Sequence, residues 1–295
     1  MITEFLGLKG IPLTGRFPLK RMDVGHAAVH VTHQPVLWVY ARSSISFEPE
    51  CLKWQIYLLL NGVEFKLKST NEPNGSPNSR LPVLELPHTD GQTPVLLTDD
   101  QIRAYVEDGS CNNVPDEHLL HTIEKQLRIS FLTYHLFIPS ASLHSANLYF
   151  PATTKLISLQ QSHHFNRLKA SASVEIAKVV SGNHVLDHTH TTLTSWLYAR
   201  YFPSEEPYEC VPVDVDAVDR IVANALSELS ANLASNTWIL GGDKPTYADA
   251  CLFAYLYLTL SLLPPSSHLR KRLTGHINLT HYTQRIASDY LKARI

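Results

Sequence analysis

The sequence predicts an α/β domain followed by an all-helical domain. Three observations predict this. Between residues 36 and 108, short β-rich runs alternate with two helical segments and a hairpin. From residue 116 onward, apolar residues recur at spacings of three and four. Later, Gly241-Gly242-Asp243-Lys244-Pro245-Thr246-Tyr247-Ala248-Asp249 introduces a helix that is apolar on every side. A chain of 295 residues has room for two cores, typical domains holding roughly 100 to 150 residues. The expected division is an N-terminal arm over 1–35, the α/β domain over 36–112 and the helical domain over 113–295.

Residues 1–35 hold Pro12, Pro18 and Pro35 with several glycines and no sustained period, as an extended arm does; its FPLKR segment is a candidate docking strip. VLWVYA, from Val36 to Ala41, is a short β-rich run and the first strand. After the loop RSSISF, Glu48-Pro49-Glu50 opens a helix. Proline suits the first helical position, and acids suit the positive end of the helix dipole. Leu52, Ile56, Leu59 and Leu60, widened by Trp54 and Tyr57, form its apolar face, and Asn61-Gly62 ends it. Glu64 to Thr70 alternates as a half-buried strand, and NEPNGSPNSR is a surface loop. Leu81 to Leu86, a turn at Asp90-Gly91 and Thr93 to Asp99 then make a hairpin. Thr98 or Asp99 is expected to cap a helix over 101–108, closed by Gly109.

In the second half, Leu120, Ile123, Leu127, Phe131, Tyr134 and Ile138 form one stripe, and Pro139 is expected to stop that helix. Further helices are expected over 152–181 and 185–202. Ser204 to Asp219 carries six acids and no base. It reads as a solvated linker entering a helix whose N-terminus tolerates acids, or as a docking strip for a basic partner. Val218, Val222, Ala225, Leu229 and Leu233 then mark a long helix. Thr246 and Asp249 have capping-box spacing ahead of the apolar helix. The uncharged run from Ala250 to Ser267 falls short of the roughly 20 residues that span a bilayer, so it reads as a buried core helix.

Composition narrows the function. The chain is 44% hydrophobic and only 18% charged, below the usual quarter, so partners are expected to cover part of its surface. Net charge is -2, and no zinc-finger or RNA-binding aromatic pattern is present, so nucleic acid is not an expected partner. Cys51, Cys111, Cys210 and Cys251 lack CxxC spacing and fit a reducing compartment. The N-terminus has neither secretory-signal nor transit-peptide pattern, which predicts a cytosolic start. His184, His188 and His190 with His163-His164 are candidate metal ligands. Only Asp187 stands nearby as a carboxylate, so surface or structural histidines are the stronger expectation. No phosphate loop or nucleophile elbow occurs. Arg270 to Ile295 holds six bases against Asp289 alone, which suits either anionic headgroups or the carbonyl end of a helix.

The order of elements, Leu81-Pro82-Val83 ahead of the third strand, and the Gly241 to Asp249 motif together resemble the glutathione transferases. That resemblance implies a thioredoxin-like N-terminal domain and a helical C-terminal domain. Such enzymes activate the glutathione thiol with Tyr, Ser or Cys just after strand one. They hold the glutamyl group with a Glu/Gln-Ser pair before the helix that follows the hairpin. Here Ser43 and Ser44 offer hydroxyls at the first place, but Asp99-Asp100 replaces the pair at the second. A second carboxylate there would repel the glutamyl carboxylate. Ser43, Ser44, Pro82, Asp99 and Asp100 are therefore expected to be positions of a degenerate pocket, with no catalytic residue, cofactor or metal. A glutathione-dependent transferase using Ser43 or Ser44 is the alternative. The proline-punctuated arm and YARSSISFEPECLKWQIYLLLNGVEF further resemble the metaxins, most of all fungal relatives of the second metaxin. That likeness implies a non-catalytic, peripheral subunit of the sorting and assembly machinery (SAM complex) on the cytosolic face of the mitochondrial outer membrane. Its partners would be the membrane-embedded β-barrel subunit, a second metaxin-like subunit and the β-barrel precursors it helps receive.

Overall fold

Two apolar runs that are far apart in sequence pair around Val36 to build the sheet. In the computed structural model, which describes residues 33–70, 75–88, 93–107, 117–149, 155–181 and 210–292, β1 (Val36–Val39) lies at the centre. It pairs in parallel with β2 (Lys66–Ser69) and antiparallel with β3 (Val83–Glu85), which pairs antiparallel with β4 (Leu96–Leu97). The order is β2-β1-β3-β4. The parallel pair needs a crossover, and α1 (Pro49–Leu60) supplies it. Proline stands at the start of α1 as expected, and Gly62 adopts φ +71 just past its end. The hairpin strands form as read. Residues 1–32 of the arm, the turn at Asp90-Gly91, Gly109, Cys111, the expected helix over 185–202 and most of the acidic linker lie outside the described residues.

The helical part begins with α2 (Asp100–Glu107) and α3 (Glu117–His121). From α3 the helix continues through a π-helical turn (Thr122–Leu127), α4 (Arg128–Leu132) and a second π-helical turn (Thr133–Phe137). Ile123, Leu127, Phe131 and Tyr134 of the expected stripe are buried. Pro139 breaks this helix as expected, Ile138 being extended, but it also opens a new one, α5 (Pro139–Tyr149), absent from the sequence reading. The break and the start are one event, because a proline that cannot continue a helix is suited to begin one. Then follow α6 (Lys155–Val180), α7 (Val215–Leu233), α8 (Tyr247–Leu262), α9 (His268–Gly275) and α10 (Ile277–Ile286), which closes with a π-helical turn (Ala287–Leu291). The described acids at the end of the linker do what a helix start allows. Asp214 Oδ1 accepts from the Ala217 N–H at 2.9 Å as the cap of α7.

The capping box of α8 forms, and it is more than a cap. Asp249 is 0% exposed, and its carboxylate is met by four donors. Oδ2 accepts from the Thr246 N–H at 2.8 Å and the Thr246 hydroxyl at 2.7 Å. Oδ1 accepts from the Ile239 N–H at 2.8 Å and the Tyr282 hydroxyl at 2.9 Å. Burial of the Tyr282 hydroxyl, and then this negative charge beside it, push it well above its ordinary pKa. At the other end of α8, the Arg270 guanidinium donates to the Leu263 carbonyl at 2.7 Å, complementing the negative helix end.

Asp249→Ala would leave four donors without their acceptor, those of Ile239 and Tyr282 in the core and two of half-buried Thr246, at about 1 kcal/mol each. The variant is expected to lose about 4 kcal/mol of unfolding free energy in urea titration. A loss near the ~1 kcal/mol of an ordinary cap would show that the carboxylate acts on α8 alone.

Candidate functional site

The strand registers bring the sequence-predicted positions to one end of the sheet. β1 leaves the sheet there toward Ser43 and Ser44. β3 enters there after Pro82, with Val83 opposite Trp38, and β4 leaves there toward Asp99 and Asp100. The Leu81-Pro82 bond is cis.

The loop between β1 and α1 is held from inside by Gln55 of α1, which is 0% exposed. Its Oε1 accepts from the Ser46 N–H at 3.0 Å and its Nε2 donates to the Ser44 carbonyl at 2.7 Å. The Ser46 hydroxyl donates to the Tyr40 carbonyl at 2.6 Å. Ser43 is exposed, and its hydroxyl accepts from the Ile45 N–H at 3.4 Å. Ser44 thus enters this network through its backbone.

Glu48 occupies the start of α1. It is extended, and its Oε2 accepts from the Cys51 N–H at 2.7 Å, so its carboxylate fills the amide position that an anion would seek. Burial, then repulsion from Glu50, raises the Glu48 pKa. Asp99, expected as a possible cap of α2, has φ +42 and turns its side chain away. Asp99 Oδ2 accepts from Asn78 Nδ2 at 3.0 Å. The helix starts one residue earlier than expected, and Gln101 Oε1 accepts from the Thr98 N–H at 3.1 Å. Asp99 and Asp100 are both exposed.

One side of α1 meets α8 in a polar seam that the sequence reading missed. Glu50 Oε2 lies 2.6 Å from Lys53 Nζ, and Glu50 Oε1 accepts from Arg128 Nη1 at 2.8 Å and the Tyr255 hydroxyl at 3.0 Å. Arg128 Nε reaches Glu175 on α6 at 2.5 Å. Burial works to raise the Glu50 pKa, but Lys53 and Arg128 outweigh it and hold the carboxyl below its ordinary value. Lys53 is 6% exposed. Burial works to lower its pKa, but the Cys251, Glu50, Tyr247 and Tyr255 groups outweigh that and raise it well above the ordinary value. Tyr247 donates to Glu124 at 2.8 Å and packs on Trp54 and Tyr57, ring centroids 5.4 and 5.7 Å away. The i,i+3 pair Glu50–Lys53 was a readable signal. Arg128, beside Leu127 in an apolar stripe, was not.

Helix α5 covers the other side of the loop. Tyr149 packs edge-on against Phe47 at 5.2 Å and Tyr40 at 6.1 Å, and Arg42 Nη2 donates to the Leu148 carbonyl at 3.3 Å. Beneath it His135 stacks on Phe131 at 4.9 Å, with Nδ1 3.1 Å from the Ser145 hydroxyl and Nε2 buried without a partner among the described residues. Burial, then His144, lowers its pKa to about 4.

A void of about 10 Å³ in the helical core, lined by Leu127, Leu226, Tyr255, Leu256, Thr259, Leu269 and Leu273, is far below the roughly 300 to 1,000 Å³ of small-molecule sites. His184, His188 and His190 lie outside the described residues, and of His163-His164 only the helical backbone is described. Among the described residues no group of three His, Cys, Asp or Glu is placed to hold a metal.

Residues 49–133 match the glutathione S-transferase N-terminal domain family, and residues 222–286 match the glutathione S-transferase C-terminal domain family. Over 71 residues the chain is 31% identical to the mitochondrial outer membrane import complex protein metaxin of Arabidopsis thaliana. The chain therefore has a glutathione-transferase-like fold and is similar, over part of its length, to a metaxin. The match covers 24% of this chain and 22% of the plant protein, so it spans about a fifth of that relative's length. Among solved structures, the chain is similar to glutathione transferase GSTFuA3 from Phanerochaete chrysosporium, at 17% identity and a TM-score of 0.49 over 86% of this chain and 96% of that one. It is also similar to the beta-etherase LigF from Sphingobium sp. strain SYK-6, at 15% identity and a TM-score of 0.45 over 88% and 98%.

Two measurements test this geometry. Glu48→Ala leaves the Cys51 N–H without its acceptor and is expected to cost about 1 kcal/mol, whereas Glu48→Ser restores a cap and stays within a few tenths. Equal urea midpoints for Glu48→Ala and the parent would rule out the capping role. His135 titrates near 4 in the folded chain against an ordinary 6.5, so the unfolded chain takes up the proton first. Its stability contribution is complete above about pH 6.5 and falls as pH drops toward 4, by about 3 kcal/mol. His135→Leu should flatten that limb in urea titrations at stepped pH, and an unchanged limb would exclude His135 as its source.

Proposed function

We propose that this chain is a non-catalytic subunit of a mitochondrial outer-membrane import machinery. The observation that carries the reading is Glu48. At the start of α1, where a glutathione thiolate would draw on helix amides, the chain's own carboxylate accepts from the Cys51 N–H at 2.7 Å. A thiolate there would meet a negative group in place of a donor. Asp99 and Asp100 at the same end of the sheet add two further carboxylates, against the glutamyl end of the tripeptide. The name of the Arabidopsis relative places that protein in an import complex of the mitochondrial outer membrane, which supports the same role here.

In its finer form, the chain sits peripherally on the cytosolic face as a counterpart of the second metaxin in the sorting and assembly machinery. It is held there by the membrane-embedded β-barrel subunit and a second metaxin-like subunit, and it helps receive β-barrel precursors. Among the described residues no helix is long and apolar enough to cross a membrane, which fits attachment by contact. An extended precursor segment is suited to recognition through backbone hydrogen bonds at a sheet edge.

Affinity purification of the tagged chain from mitochondria is expected to recover an outer-membrane β-barrel protein, and alkaline carbonate is expected to release most of the chain. Calorimetry with glutathione should show no binding at millimolar concentration. Recovery of no barrel protein, together with micromolar glutathione binding, would replace this reading with a glutathione-dependent transferase.

A further inference from the structure

The last two helices carry a face that the helical core does not use. α9 buries Leu269 and Leu273, and α10 buries Leu279, Tyr282, Thr283 and Ile286. Helical geometry turns His268, Lys271 and Thr274 of α9 outward, and Ile277, His281 and Gln284 of α10 outward; all six are exposed. From His268 to Lys292 the chain has five Lys or Arg and three His against one acid, the exposed Asp289 of the closing turn, although the whole chain has 27 acids against 25 bases. Ile277 stands at the turn between the two helices and is 66% exposed.

The cations differ in what faces them. Arg272 pairs with Asp219 of α7, which neutralises it. Arg270 donates to the Leu263 carbonyl at 2.7 Å, and Arg285 donates to the Thr237 carbonyl and lies 4.7 Å over the Trp238 ring. A carbonyl or a ring satisfies donors without cancelling a charge. Lys271 is exposed on the same corner as Ile277, and Arg270 and Arg285, both half-buried, flank that face with a carbonyl or a ring as partner.

We infer that the α9–α10 corner docks on an anionic bilayer surface, with Ile277 entering the headgroup layer and Lys271 and Arg270 lying against lipid phosphates. Cations alone would suit any acidic partner. An apolar crest set among them suits a bilayer, which takes up the hydrocarbon and the charge together. The inference rests on the membrane reading above and supplies a contact for it that needs no protein partner.

Flotation of the purified full chain with vesicles tests this. Vesicles of phosphatidylcholine plus phosphatidylserine should carry the chain upward, pure phosphatidylcholine should not, and high salt should release it. Lys271→Gln should weaken the partition about fivefold, the usual effect of one cation near such a surface. Ile277→Ser should also weaken it, and Lys178→Gln on α6 should leave it unchanged; circular dichroism of each variant checks the fold. No partition to anionic vesicles, or equal partition of the parent, Lys271→Gln and Ile277→Ser, overturns the inference. So does loss with Lys271→Gln but not Ile277→Ser, which would show that charge alone holds the vesicle and that Ile277 does not enter the headgroup layer. The assay contains no barrel protein, so its failure leaves the assembly-subunit reading intact. Failure of the affinity purification likewise leaves the vesicle result standing.

Discussion

A carboxylate fully removed from water is tolerable only where its lone pairs are met, and the placement of α8 depends on such a group. Asp249 gathers donors from three separate stretches: Ile239, two residues ahead of Gly241-Gly242, the helix cap and α10. It therefore fixes where α8 begins, how the preceding loop closes and where α10 lies, in one set of bonds. Once α8 is set, its residues at i, i+4 and i+8, Tyr247, Cys251 and Tyr255, line up on one face of an otherwise apolar helix. Tyr247 meets Trp54 and Tyr57 of α1 across that face, and Tyr255 meets Glu50.

The seam between α1 and α8 is polar for a reason other than strength. Partly buried ion pairs add little net stability over apolar packing, but each restricts which arrangement is tolerable. Two apolar helices can slide or rotate at modest cost. Glu50, bound at once to Lys53, Arg128 and Tyr255, cannot shift along α8 without leaving a charge unmet. The same logic holds on the loop side, where Gln55 pins Ser44 and Ser46 by two bonds of fixed direction.

How much of this could be read from sequence follows from the range of each interaction. Pro49, Thr246 with Asp249, and the stripe of α7 act within a turn or two of helix, so their residue types and spacings reveal them. Glu48 was legible as an acid suited to a helix start, though its role as the cap itself needed coordinates. Pro139 shows how one residue supports two local rules: it ends one helix and begins the next, and reading only the first hid α5. Asp99 was misread because its partner, Asn78, is 21 residues away. The seam was invisible for the same reason, Glu50 finding Arg128 78 residues later and Tyr255 205 residues later. Such distances leave no periodic trace in the chain.

That long reach of Glu50 bears on how the protein is made. Synthesis runs from the N-terminus, so α1 emerges well before Arg128 and long before Tyr247 and Tyr255. Until they arrive, the Glu50 carboxylate lacks its Arg128 and Tyr255 partners, and the side of α1 that meets α8 is uncovered. The α/β portion is thus not a finished unit awaiting a second one. Its helix α1 takes part of its packing from the far end of the polypeptide.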